Sequence, residues 1–125
     1  MEPVVRLYNI EGPRLRQIEM LAACLGIRAR AVQPGDYGRP VGSLCGAEDG
    51  EGARGLWNSF SEEMLVMAFF PQGMLQRFLD GFRQTGLAPV RLKAMLTETN
   101  SRWNSCELRS ELLREEAAFR AMKRE

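Results

Sequence analysis

Two stretches of this chain repeat one order of signals, and that repetition limits the fold more than any other feature. In the first, Val4 to Ile10 is short and rich in β-branched and aromatic residues, which predicts a strand. Pro13 suits the first turn of a helix, and Leu15, Ile18, Leu21, Ala22 and Leu25 recur at helical spacing over about 13–25. Gly26 stands where a left-handed residue closes a helix, and Ile27 to Val32 then alternates apolar with basic side chains until Pro34-Gly35. In the second stretch, Met64 to Phe70 is an almost continuous apolar run of strand length, as expected in the middle of a sheet. Pro71 opens a helix with Met74, Leu75, Phe78, Leu79 and Phe82 on one face, Gly86 ends it, and Val90 to Leu96 alternates again. Arg28-Ala29-Arg30-Ala31 and Arg91-Leu92-Lys93-Ala94 occupy the same place in the two units.

Each stretch is thus a strand, a helix and a returning strand. The 125 residues suffice for one domain, 1–125, and not for two well-packed ones. Between the units, 35–55 holds seven glycines in twenty-one positions without a hydrophobic period, so it reads as a long flexible loop. Beyond Thr97–Asn104, a last helix is expected from about Ser105 to Met122, capped by Asn104 or Ser105, with Leu108, Leu112, Phe119 and Met122 on one stripe. Two βαβ units of this kind interleave most simply as an α+β, ferredoxin-like βαββαβ fold: a four-stranded antiparallel sheet, both helices on one face, and an added C-terminal helix.

If the apolar members of each alternation face the helices, Ile27, Ala29, Ala31, Val90, Leu92, Ala94 and Leu96 point inward. The open face then collects Arg6, Tyr8, Arg28, Arg30, Arg91 and Lys93. A basic sheet with one aromatic is one way to bind single-stranded RNA. The chain carries only a +1 net charge and lacks a Gly-aromatic signature on its third strand, which argues against nucleic acid as partner. The preferred reading is that the last helix covers part of this face. On that helix Glu115 falls within the apolar stripe and Glu111 flanks it, so an arginine-lined sheet would supply their partners.

Inventory excludes much chemistry. There is no histidine, so Ser-His-Asp and Cys-His catalysis and imidazole metal sites are ruled out. Cys24, Cys45 and Cys106 are odd in number and form no CxxC pair, the usage of a reducing compartment, hence the cytoplasm. Cys24 is expected in the core, and Cys106 near a helix start lacks a base. The methionines read as core residues rather than metal ligands. Gly50-Glu51-Gly52-Ala53-Arg54-Gly55 spells G-x-G-x-x-G, but it follows no strand and sits beside Glu48 and Asp49, which repel phosphate. No segment approaches the roughly 18 apolar residues of a membrane span. No cofactor, metal or catalytic set is therefore assigned, and membrane attachment is not expected.

The most distinctive segment runs from Lys93 to Trp103. Leu92, Lys93, Ala94, Leu96, Thr97, Thr99, Asn100 and Trp103 fit a Leu-Lys-Ala-x-Leu-Thr-x-Thr-Asn-x-x-Trp pattern that leads into a helix rich in Leu and Glu. On these residues, about 62–118 of the chain resembles a bacterial family catalogued as domain of unknown function 3783, which commonly has proline where Glu98 stands. The resemblance implies no activity. Physically, Thr97, Thr99 and Asn100 suit a tight turn and Trp103 suits a pin between helix and sheet. The functional version is a small polar pocket with Lys93 as cation, Thr97 and Asn100 as hydrogen-bonding groups and Trp103 as wall. The sequence therefore points first to a non-enzymatic protein-interaction or self-associating module. Small-ligand or nucleotide sensing at this turn is the alternative, and RNA binding on the basic face is a second one.

Overall fold

A computed structural model of the protein describes residues 1–47 and 57–123. In chain order it contains β1 (Val4–Tyr8), α1 (Gly12–Cys24), β2 (Arg28–Ala31), a 3₁₀ turn (Pro34–Asp36), α2 (Val41–Leu44), β3 (Met64–Ala68), α3 (Met74–Thr85), β4 (Leu92–Met95), a second 3₁₀ turn (Asn100–Arg102) and α4 (Ser105–Lys123).

The internal echo extends to backbone detail. After α1, Gly26 takes φ +77 and Ile27 N–H donates to Ala22 O at 2.9 Å; after α3, Gly86 takes φ +75 and Leu87 N–H donates to Phe82 O at 2.8 Å. Both helices therefore end in the same glycine-dependent closure. The exits of β1 and β3 also match: Asn9 and Phe69 have φ of 61 and 62, the non-glycine residues in the left-handed region among those described.

The strand order is β2-β1-β3-β4. Pairs β1–β2 and β3–β4 are parallel and β1–β3 is antiparallel, so the sheet is mixed. The expected ferredoxin-like interleaving into an all-antiparallel sheet is corrected by this pairing. Each crossover helix returns the chain to the strand beside the one it left, so each βαβ unit is complete in itself. The two units join back to back along β1 and β3.

Both faces of the sheet are covered, as parallel pairing generally requires. On one side Val5, Leu7, Leu65 and Met67 meet Ile18 and Ala22 of α1 and Met74, Phe78 and Phe82 of α3. The two helices come close at Gly81, where an added Cβ would lie 2.5 Å from Leu21 Cδ1. On the other side Val4, Tyr8, Met64, Val66, Ala68 and Leu92 are covered by Tyr37, Val41, Leu44 and Cys45 and by Leu108 of α4. Every residue of β3 is buried, which explains its unbroken apolar run.

The segment expected to be loop from residue 35 onward thus carries a 3₁₀ turn and α2 and buries Tyr37, Val41 and Leu44. Val41 N–H donates to Trp103 O at 2.8 Å and Ser105 N–H to Tyr37 O at 3.0 Å, tying this segment to the start of α4. At Gly42 an added Cβ would lie 2.9 Å from Ser101 Cβ. The remainder of that expected loop, with the Gly50–Gly55 spelling, lies outside the described residues.

Candidate functional site

The turn after β4 is built by reciprocal hydrogen bonds. Thr97 N–H donates to Asn100 Oδ1 at 2.8 Å, and Asn100 N–H donates back to Thr97 Oγ1 at 3.1 Å. Asn100 Nδ2 donates to Met95 O at 2.9 Å, and Ser101 Oγ to Glu98 O at 2.9 Å. Three residues on, the same device starts α4: Glu107 N–H donates to Asn104 Oδ1 at 2.8 Å and Asn104 N–H to Glu107 Oε1 at 3.0 Å. That is a capping box with Asn104 as N-cap.

A groove of about 440 Å³ lies between this turn, edge strand β4 and α4, and its walls include Lys93, Thr97, Asn100, Trp103 and Glu111. All four residues expected to form a polar pocket border this space, Lys93 from the edge strand at a position that faces the α1 and α3 side. Thr97 and Asn100 direct their side-chain atoms at each other and at the backbone, so they hold the turn. Lys93 Nζ donates to Val90 O at 2.6 Å.

The basic face divides. Strand register sets Arg6 beside Arg30 and Val66, and Val66 beside Ala94, all on the side of α2 and α4. Lys93 pairs with Leu65, which is on the side of α1 and α3, so it leaves the expected basic row. Val90 stays on the helix side, but Leu92, Ala94 and Leu96 turn away from α1 and α3, the reverse of their expected inward direction. Tyr8 is fully buried, stacked with Phe60 and tilted against Tyr37, and its hydroxyl shares a 2.8 Å hydrogen bond with Ser105 Oγ. Burial raises its pKa, opposed by the Ser105 hydrogen bond. It is a core residue, and no open platform for a base remains there.

Arg91 reaches α4, with Nε and Nη2 at 3.0 and 2.7 Å from the Glu116 carboxylate. The helix does neutralise part of the basic set, through Glu116 instead of the expected Glu115 and Glu111. Glu115 is exposed and Glu111 pairs with Arg114 at 3.0 Å. Arg109 similarly forks onto Glu62 at 2.9 and 2.8 Å, and this pairing lowers the Glu62 pKa. Arg6, Arg28 and Arg30 remain together and line a second groove with Leu44, Cys45 and Phe69. Sequence reasoning missed those last three wall residues. No local signal marks a phenylalanine for a left-handed backbone or brings Cys45 back over β1.

Cys24 is exposed and not in the core. Cys106 Sγ donates to Asn58 O at 3.0 Å, and Cys45 is buried, its thiol pushed up to about 11 by burial, opposed by Arg6. No described helix is long and apolar enough to cross a membrane.

Neither the curated proteins nor the solved structures contain a match to this chain. A family model does match: residues 63–119, from just before β3 through the Thr97–Asn100 turn and most of α4, resemble the family described as a domain of unknown function, DUF3783.

Proposed function

We propose that the protein is a non-enzymatic interaction module of the cytoplasm that pairs with a second copy of itself through the outer end of α4. The observation that carries this reading is the exposure of Phe119 and Met122, 59% and 74% respectively, on a helix whose last turns extend past the sheet they start from. Leu108 and Leu112 pack on the domain, while Phe119 and Met122 continue their three-four spacing as exposed side chains, with the Lys123 ammonium 4.8 Å from the centre of the Phe119 ring. Exposed large apolar groups that extend a buried stripe are what a helix partner covers.

The charges favour a second copy as that partner. Acidic Glu115 precedes Phe119 and basic Lys123 comes after it, so an antiparallel pair crossing at Phe119 sets position 115 of one copy against position 123 of the other. The free thiols suit a reducing compartment. The ligand-sensing alternative has the groove beside β4 in its favour, but its two best hydrogen-bonding side chains already serve the turn.

Size-exclusion chromatography with light scattering should give a mass twice 14.1 kDa at high concentration, and 14.1 kDa for the Phe119→Asp, Met122→Asp double variant. A wild-type monomer at every concentration, or a dimer that survives both substitutions, would overturn the reading.

A further inference from the structure

The second groove, of about 320 Å³, runs along the start of β1 and β2 beneath Leu44 and Cys45. Three features mark this groove out from the rest of the sheet. Parallel pairing puts Arg6 directly beside Arg30, and like charges facing each other across neighbouring strands destabilise a sheet. The half-buried Arg6 guanidinium has only neutral partners: Nη1 donates to Leu44 O and Nη2 to Ala31 O, Nε has no partner, and burial lowers its pKa. The groove wall holds Phe69 in the left-handed region at φ 62, a strained state for a bulky side chain and one that gathers at ligand sites.

The contrast with the other arginines sharpens this. Arg14, Arg91 and Arg109 each fork onto a carboxylate with both oxygens engaged. Among the described residues no carboxylate pairs with Arg6 or Arg30, and Arg28 has only the exposed Glu2, 3.3 Å away, which also lines the groove. Three guanidinium groups around one space suit a doubly charged tetrahedral anion better than a carboxylate, which a single fork satisfies. Phe69 and Leu44 supply an apolar wall beside that charge.

We propose that this groove binds a small phosphorylated molecule, its phosphate held by Arg6, Arg28 and Arg30 and its apolar or ring portion lying against Phe69 and Leu44. The volume sits at the small end of ligand sites, which span about 300–1,000 Å³. It holds one phosphorylated unit and not a strand of nucleic acid, because Lys93 and Arg91 do not extend the arginine row into a track.

Isothermal titration at constant ionic strength, with inorganic phosphate, adenosine monophosphate, adenosine and an oligouridylate as probes, tests this. Phosphate should bind, the nucleotide should bind more tightly, and adenosine should not bind. The Arg28→Ala, Arg30→Ala double variant changes two exposed side chains, so it should fold as the parent does. It should lose about ten-fold or more in nucleotide affinity, as removal of charge-assisted hydrogen bonds entails. Phosphate binding no better than chloride, an affinity unchanged in the double variant, or an oligouridylate that outcompetes the nucleotide would each overturn the proposal.

Discussion

The outer strands β2 and β4 close equivalent βαβ units with the same helix ending, yet the chain treats them in opposite ways. Beyond β4 it makes a doubly hydrogen-bonded turn, caps a helix and lays that helix back against the sheet. Beyond β2 it passes over β1 through Tyr37, Val41 and Leu44 and leaves Arg28 and Arg30 exposed. A near-symmetric fold has thus become asymmetric through the connecting segment that each unit leads into. On the β4 side polar groups are matched internally; on the β2 side, among the described residues, Arg6 and Arg30 have no carboxylate partner and Arg28 has only the exposed Glu2.

The largest effect should come from the β4 side. Asn100→Ala would leave Thr97 N–H and Met95 O without their partners in a half-buried turn, which should cost about 2–4 kcal/mol of stability in urea unfolding. A loss under about 0.5 kcal/mol would break the comparison, because the β4 turn would then be no more committed to stability than the β2 rim.

A smaller effect belongs to the centre, where both covers meet. Tyr8→Phe removes the buried bond to Ser105 and should cost about 1 kcal/mol at neutral pH. The pH dependence comes from the raised Tyr8 pKa. Below the ordinary value of 10.0 the hydroxyl is protonated both folded and unfolded, and its share of stability is fully present; above 10.0 the unfolded chain ionises first and that share is lost. Unfolding midpoints should therefore fall from about pH 9 to about pH 11 in the parent and fall less in Tyr8→Phe.

The smallest effect should come from the β2 side. Arg30→Ala removes an exposed side chain with no ion pair among the described residues and relieves Arg6, so stability should shift by no more than about 0.5 kcal/mol, in the stabilising direction. A clear destabilisation would mean that the two sides are alike after all.

Much of this architecture was legible from periodicity and punctuation. Pro13, Gly26 and Gly86 mark helix ends, and the unbroken run at Met64–Ala68 marks a strand buried on both faces. Strand order was not legible, because a complete βαβ unit and an interleaved one share the same local signals and only the pairing of β1 with its neighbours separates them. The facing of β4 failed for a related reason. Alternation reports which side chains are buried, and with both faces covered it does not say by which layer; Leu92 and Ala94 went to α4 and left Lys93 behind. Glycine count hid the segment after β2, since four apolar anchors, Tyr37, Val41, Leu44 and Cys45, suffice to hold it down. The stripe on α4 was right in spacing, but the domain ends before Phe119, leaving that residue and Met122 exposed. For the candidate sites, the Thr97–Asn100 turn was readable because its chemistry is local, whereas the arginine groove draws on β1, β2, Cys45 and Phe69, which no local pattern connects.

The bonding of Asn100 also gives the protein a chemical age. Its amide accepts through oxygen and donates through nitrogen at the same time, and the small Ser101 comes next in the chain. Hydrolysis of that amide would exchange the donating nitrogen for a charged oxygen facing the Met95 carbonyl, so one spontaneous deamidation would turn the clasp of the β4 turn into a repulsion. While the fold stays closed, the same bonds restrain the side chain from the motion that deamidation requires, and the lifetime of the turn becomes tied to how often it opens.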